Sequence, residues 1–546
     1  MSDIYAVLLE VASIQKYVFG SNKLKENYGA SYLVENIFEE NLRTLWESKS
    51  KDESFDIWEK DPETIRIKDP EVEAEVGYIG GGNALLFFKD ENKAKELAKK
   101  WSKELLIKTP GLVPTIAIGK MDIESLDKGK GFKENITKIF DKLSENKSKY
   151  QPQTTLPRYG ITAECNRTGL SAECLDDTDK DKQVYISSVA KAKLDVAKDA
   201  TNLLEKEYSD ILKGYYKFPL EFEDLGQSDD DSHMSIVHID GNSMGSRFKS
   251  CTTLPQIRKL SKSVKNATKK SVRELLKTII QKIENDDYVY DYFKYKGYDP
   301  KKGYILPIRP IIIGGDDITF VCPGKFGVYF ARIFMEKFAE EKGSDKKLLS
   351  ACAGVAITKI KYPFYRGYKL AEELCKNAKK ESRKDEEKGS SWLDFHISYG
   401  GFSGSLEDIR NRNYTGVVGK LGLRPYRVID GESKKTDHRS LSECIKGIKH
   451  LKGMNENYEA EEGWPNSKLK ELREVLTLGA SSSKIFIQEM EYRDKTLPEI
   501  MANPDCKKTG WMPADEGEVT PYFDMLELIE IYPIKLEEKG DNDVRA

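Results

Sequence analysis

The sequence predicts an α+β protein with a duplicated ββαβ core, an inserted region between the two copies and a helical C-terminal part. Three observations carry this prediction. Apolar runs flank a glycine turn at GYIGGGNALLFF (77–88) and again at GYILPIRPIIIGGDDITFVC (303–322), the pattern of two strands joined by a tight turn. Each hairpin precedes a helical stretch and a further strand in the same order, 91–105 and 112–119 in the first copy, 324–339 and 350–359 in the second. Beyond about residue 436 the periodicity is largely helical, as at 439–453 and 467–476.

Composition narrows the class. A chain of 546 residues is long enough for several cores, and a net charge of -3 gives no argument for bulk nucleic-acid affinity. No apolar run approaches a membrane span, and MSDIYAVLLEVASIQ lacks signal-peptide organisation. Eight scattered cysteines in a lysine-rich chain do not resemble a disulfide framework, which points to reduced thiols and a cytoplasmic protein without membrane attachment.

In the first copy, Ile4–Leu9 reads as a strand and 13–40 as helical around a loop at Gly20 and Asn22. Aligning Ile79-Gly80-Gly81 with Ile313-Gly314-Gly315 sets Gly82 opposite Asp316 and Asn83 opposite Asp317, with Glu10 near Asp240. Glycine has no ligand and asparagine no charge, so this copy reads as a structural partner whose remaining anion is Glu10. The region 120–232 carries a helical segment (133–147), then CNRTGLSAEC (165–174), then a lysine-containing helical stretch. Cys165 and Cys174 have no second nearby pair, and a closed zinc site needs four ligands, so two free thiols are expected. Residues 249–282 hold ten Lys/Arg against one acid, Glu274, with an interrupted apolar stripe. This basic amphipathic helix either presents lysines to triphosphates or RNA, or is a solvated face offset by acids around Glu284–Asp287.

The second copy gathers the chemistry. SIVHIDG (235–241) is a strand ending in Asp240, followed by Asn242-Ser243-Met244-Gly245. If it lies beside the 303–322 hairpin, Asp240 joins Asp316 and Asp317 in a three-carboxylate cluster, costly to hold without a cation. Mg²⁺ or Mn²⁺ suits such oxygen ligands and is commonly shared with substrate phosphates. Gly314 and Gly315 clear side chains from the approach to the backbone, and the turn Gly241–Gly245 can turn N–H groups toward a triphosphate. A solvated hairpin tip is the plainer alternative for GGDD. In helix 366–380, Leu370, Leu374 and Ala378 can face a sheet while Lys379 or Lys380 emerges near the end, to meet phosphates or the helix dipole. A surface loop at 381–390 and a strand at SWLDFHI (391–397) follow.

HIDGNSMG, IIIGGDDITF, CAGVAITKIKYPFY (352–365) and YKLAEELCKNAKK (368–380) resemble, in this order, the catalytic palm of the large polymerase subunit of type III CRISPR effector complexes, related to the GGDEF nucleotidyl cyclases. SIQKYVFGSNKLKENYGASYLVE (13–35) is similar to that family's opening motif, GLRPYRV (422–428) to its last palm segment, and Cys165 with Cys174 to half of its cysteine-rich insert. The resemblance implies two ferredoxin-like nucleotidyl-cyclase palms, only the second intact. Its boundaries would be a degenerate palm at 1–130, an α/β insert at 131–232, a catalytic palm at 233–435 and a helical domain at 436–546. It implies catalytic and metal-binding roles for Asp240, Asp316 and Asp317. Nucleotide contacts would come from Gly241, Asn242, Ser243, Met244, Gly245, Gly314, Gly315 and Lys379. ATP would be the substrate, cyclic oligoadenylates the product, and RNA or CRISPR effector subunits the partners. No histidine–aspartate nuclease of the family's type is expected, since no His-Asp dipeptide occurs. The alternatives are a non-catalytic nucleic-acid-binding scaffold and a mono- or dinucleotide cyclase.

Overall fold

The computed structural model describes residues 3–46, 55–149, 155, 159–176, 183–225, 233–285, 298–299, 303–384, 389–400, 404–429, 439–454, 462–500, 503–514 and 517–537. Its first sheet grows from a strand buried on both faces. In β1 (Asp3–Ala12), Val7, Leu9 and Val11 enter one apolar cluster while Ile4, Ala6 and Leu8 enter another, the two-residue alternation of a strand covered on both sides. A long helix, α1 (Leu24–Phe38), precedes the hairpin β2 (Ala74–Gly80) and β3 (Asn83–Phe88). Gly81 and Gly82 have φ of 60° and 75°, a left-handed pair that a two-residue hairpin turn requires and that glycine adopts without strain. α2 (Glu91–Lys108) starts at Asp90, whose side chain accepts from the Asn92 N–H, and buries Trp101, whose indole N–H donates to Ile37 O at 3.0 Å. β4 (Val113–Asp122) and α3 (Gly129–Ser148) complete the unit, α3 packing on β4 and β1. The sheet order is β2-β3-β1-β4, antiparallel throughout.

The intervening region holds a hairpin, Cys174–Asp176 with Val184–Ile186, and helices Ser188–Asp195 and Ala197–Glu207. Arg167 fastens it to α1, pairing with Glu26 (3.0 Å) and Asp176 (2.6 Å). Cys165 is buried against Ile186 and Ala190; it and Cys174 are free thiols.

The second sheet begins with β5 (His233–Gly241) and continues after α4 (Leu254–Asn285) with β6 (Arg309–Ile313) and β7 (Asp317–Pro323). Then come α5 (Gly327–Ala339), β8 (Ala351–Lys359), α6 (Phe364–Lys384), β9 (Ser391–Ile397) and β10 (Tyr426–Ile429). Its order is β6-β7-β5-β8-β9-β10, and its first four strands repeat the order of the first sheet: hairpin, leading strand, closing strand. The run from Gly303 is not one strand, however. Gly303–Ile305 pairs with Tyr216–Lys217 and Tyr298–Asp299 in a separate sheet, because Pro307, without an N–H, interrupts the ladder before β6. α6 also continues into the expected loop as far as Lys384; residues 385–388 lie outside those described.

The basic stretch is α4, and most of its charges have partners. Arg258, fully buried, pairs with Glu75 at 2.8 Å; Lys265 reaches Glu39, Lys269 reaches Glu207, Lys270 reaches Glu341 and Arg273 reaches Asp210. These acids come from distant segments rather than from the acidic stretch after Glu284; Asp286, Asp287 and Tyr288 lie outside the described residues. The C-terminal part contains α7 (Leu441–Lys452), α8 (Asn466–Thr477) and α9 (Ala480–Glu491). It is not helical alone: Gly419–Lys420, Met512–Ala514 and Gly517–Val519 form a small sheet. Buried Arg424 locks this part to the second sheet through Asp524 (2.8 Å) and Glu527 (2.6 Å). One apolar cluster joins the halves, holding Val7, Leu9 and Tyr28 together with Met234, Ile236, Ala356 and Phe364. Among the described residues no helix is long and apolar enough to cross a membrane.

Candidate active site

Strand alternation sets His238 and Asp240 on one face of β5, and the antiparallel register aligns Asp240 with Asp317 and His238 with Thr319 on β7. Asp316 precedes them in the turn. The Gly241 N–H donates to Asp316 O at 3.0 Å, the Gly314 N–H donates to Asp317 O at 2.8 Å, and the Thr268 hydroxyl on α4 donates to Gly315 O at 2.6 Å. The Asp316 side chain lies so close over Gly241 that a Cβ there would come within 2.8 Å of its Cβ. Any larger residue at position 241 would push this carboxylate away.

Two carboxyls here are poor acids. Burial first, then the neighbouring Asp240 and Asp317, push Asp316 up to about 7; burial and Asp240 push Asp317 up to about 8. Asp317 Oδ1 lies 3.3 Å from His238 Nδ1 but is buried without a hydrogen-bond partner. Burial pushes His238 down to about 4, so the imidazole is neutral and supplies no counter-charge. Its Nδ1 lies 3.1 Å from Thr319 Oγ1. The charge that is compensated belongs to Asp240. Lys379 Nζ lies 2.6 Å from its Oδ2 and donates to Gly241 O at 3.1 Å. Burial opposes the Lys379 charge, yet Asp240 outweighs it and holds the ammonium above its ordinary range.

The three-acid metal cluster expected from sequence is not gathered as such: among the described residues no three or more His, Cys, Asp or Glu side chains converge on a metal position. The reason is local. Asp240 gives one oxygen to Lys379, Asp317 turns toward His238, and Asp316 sits over Gly241. The donor chemistry nonetheless fits a hard cation. An unpartnered buried carboxylate oxygen, beside two more acids, is a group that Mg²⁺ or Mn²⁺ would neutralise.

Other expected contacts are distributed unevenly. The N–H groups of Gly241 and Asn242 are already donated, to Asp316 O and to Ser350 O (2.8 Å). The Asn242 amide donates to Ser350 Oγ (3.2 Å) and Ser390 O (3.1 Å), so it ties β5 to neighbouring segments. Ser243, at φ 59°, turns the chain into the short helix Met244–Ser250, where Gly245 leaves open space. Lys380 is exposed, and the ammonium on Asp240 is that of Lys379.

The first sheet repeats this arrangement with a single acid, Glu10, in place of three. Glu10 aligns with Asn83 across β1 and β3, Lys147 of α3 pairs with Glu10 at 2.5 Å, and Ser13, at φ 60°, opens a short helix as Ser243 does. Asn83 Oδ1 is buried without a partner. Sequence reasoning missed Lys147, Thr268 and His238. Only His238 left a signal, two residues before Asp240 and hence on the same strand face. A cavity of about 360 Å³, lined by His396, Tyr399, Tyr414, Arg473, Phe523 and Glu527, lies at the opposite end of β9 from the carboxylates.

Comparison with known proteins agrees on fold. Residues 233–387 match the family described as Cas10/Cmr2, second palm domain. Among solved structures, the chain is similar to one in the Csm1-Csm4 cassette in complex with pppApA, at TM-score 0.52 and 13% identity, covering 98% of this chain and 70% of that one. It is likewise similar to the cassette in complex with AMPPNP (0.52, 14%, 97% and 70%) and in complex with cA3 (0.51, 13%, 98% and 70%). No curated protein matches the chain.

Proposed function

We propose that this chain is a Mg²⁺- or Mn²⁺-dependent nucleotidyltransferase that joins ATP into cyclic oligoadenylate-type messengers, in CRISPR-linked or related antiviral defence. The observation that carries the reading is the register that faces Asp240 with Asp317 at the Gly-Gly turn, within a segment matching the Cas10/Cmr2 second palm. The similar cassette structures are described with AMPPNP, pppApA and cA3, a substrate analogue, a linear diadenylate and a cyclic triadenylate. A ribose hydroxyl oxygen attacks the α-phosphorus of ATP and forms the new P–O bond. The bond to the β-phosphate bridging oxygen breaks, pyrophosphate leaves and the hydroxyl proton passes to water. The cation, held by Asp240 and Asp317 with Asp316 beside them, would supply charge for the attacking and leaving oxygens.

The chain's own residues prepare this chemistry. Lys379 sits on Asp240 before substrate arrives and would supply its charge to a phosphate bound beside that carboxylate. Gly314 and Gly315 keep the turn free of side chains, and Ser243, Met244 and Gly245 form the entrance of the following helix. Two ferredoxin-like palms are supported by the shared strand order and by the paired Glu10–Asn83 and Asp240–Asp317 registers. The division into 1–130, 131–232, 233–435 and 436–546 is proposed with them, except that α3, which runs past residue 130 and packs on β4 and β1, is counted with the first palm. A Csm4-like protein subunit and RNA are the proposed partners.

The test is mass spectrometry of products from ATP and Mn²⁺. A series of cyclic adenylates is expected, and Asp317→Asn should cut pyrophosphate release at least about a hundredfold, the scale of losing one electrostatic stabiliser. A protein that releases no pyrophosphate from ATP, alone or with its effector partners, overturns the reading. Cyclic AMP as the sole product would leave nucleotidyl transfer and remove the oligomer.

A further inference from the structure

We infer that α4 is a strut that fixes the Asp316 turn relative to the glycine turn of the first sheet, and that Thr268 is a positioning residue for Asp316. The inference rests on the nucleotidyltransferase reading above for its catalytic consequence, though its mechanical part does not. The N-terminal half of α4 is bolted to the first hairpin. Arg258 donates to Gly77 O (2.7 Å), Val76 O (2.8 Å) and Thr64 O (3.0 Å), and pairs with Glu75. One turn further on, Ser261 meets the end of β2 just before the turn: a Cβ at Gly80 would lie 3.2 Å from Ser261 Oγ.

Seven residues beyond Ser261 comes Thr268, back on the same helix face and about 10.5 Å along the axis. A threonine hydroxyl inside a helix ordinarily bonds back to its own preceding turn. Here it leaves the helix and donates to Gly315 O at 2.6 Å, and the Thr268 side chain is buried. Gly315 immediately precedes Asp316, so this one bond fixes the peptide from which the catalytic carboxylates hang. The helix is held rigid between these points. Leu260, Val264 and Ala267 are buried on its inner side, and Lys265, Lys269 and Lys270 pair with acids of other segments on its outer side. The two glycine turns correspond in the two sheets, so the Ser261–Thr268 spacing sets the gap between them.

The test uses the full chain and compares Thr268→Val, Thr268→Ser and Gly80→Ala. Valine keeps the volume and removes the donor; serine keeps the donor. Hydrogen–deuterium exchange of residues 312–318 should be about fivefold faster or more in Thr268→Val, unchanged at 77–83, and restored in Thr268→Ser. The kcat for pyrophosphate release should fall about tenfold in Thr268→Val with KM for ATP held within about twofold, the mark of lost positioning rather than lost binding. Gly80→Ala, substituted in the other hairpin, should also speed exchange at 312–318 by pressing on Ser261. Parent-like exchange at 312–318 in both Thr268→Val and Gly80→Ala overturns the strut, as does a Thr268→Ser protein as impaired as Thr268→Val. If the parent itself releases no pyrophosphate, the nucleotidyltransferase reading fails while the exchange comparison still decides the strut.

Discussion

At Asp317 a carboxyl faces Asp240 across the sheet with a neutral imidazole behind it, and Asp316 crowds the same space. Both acids therefore hold a proton in the folded chain at a pH where an unfolded chain has lost it. A group whose folded pKa is raised contributes stability that is full below the ordinary carboxylate range and is lost as pH rises through the folded value. For Asp316 and Asp317 that loss runs through about 7 and about 8. Denaturant titration of chelated protein should thus show stability falling by several kcal/mol between about pH 5 and pH 9, at about 1.4 kcal/mol per pH unit for each carboxyl still protonated. Adding Mg²⁺ or Mn²⁺ at the alkaline end should return it, and Asp317→Asn should flatten the slope. A chelated protein whose stability does not fall over this range would show that the two carboxyls ionise freely.

Among the elements, α6 depends on the residue beneath it. Gly354 in β8 lets the helix lie on the sheet: a Cβ there would sit 2.0 Å from Ala371 O and 2.4 Å from Cys375 N, both backbone atoms that cannot swing aside. Gly354→Ala should cost about 3 kcal/mol, the upper end for overpacking a core, measured by urea unfolding. Because α6 carries Lys379, the variant should also weaken the Lys379–Asp240 contact and raise KM for ATP. The elements readable from sequence were those whose cause is local. GGDD and HIDG stand at strand ends, and the 3.6-residue pattern of 366–380 needs no partner to be seen. What stayed hidden depends on distant chain. The lysines of α4 look like a free basic face until Glu39, Glu207 and Glu341 arrive from elsewhere. Residues 133–147 read as insert, yet α3 packs on β4 and brings Lys147 to Glu10. No local signal foretold that Gly303–Ile305 would join Tyr216–Lys217.

At the scale of the whole molecule the two sheets are not separable beads. One apolar cluster takes Val7, Leu9 and Val11 from the first and Met234, Ile236 and Val321 from the second, and Phe19 stacks on Tyr368 at 3.6 Å. Calorimetry should therefore show the two sheets melting in one transition, and residues 233–429 produced alone should expose this face and bind a hydrophobic dye. Two resolved transitions, with a soluble dye-silent fragment, would contradict the shared core. Asn83 bears on the history such a molecule can have. It occupies the position of Asp317, and in the genetic code one purine exchange at the first codon position turns asparagine into aspartate. The first site thus stands a single base from regaining an acid beside Glu10. The barrier to that reversal is physical rather than mutational: the returning carboxylate would be buried next to another, whose charge is already matched by Lys147.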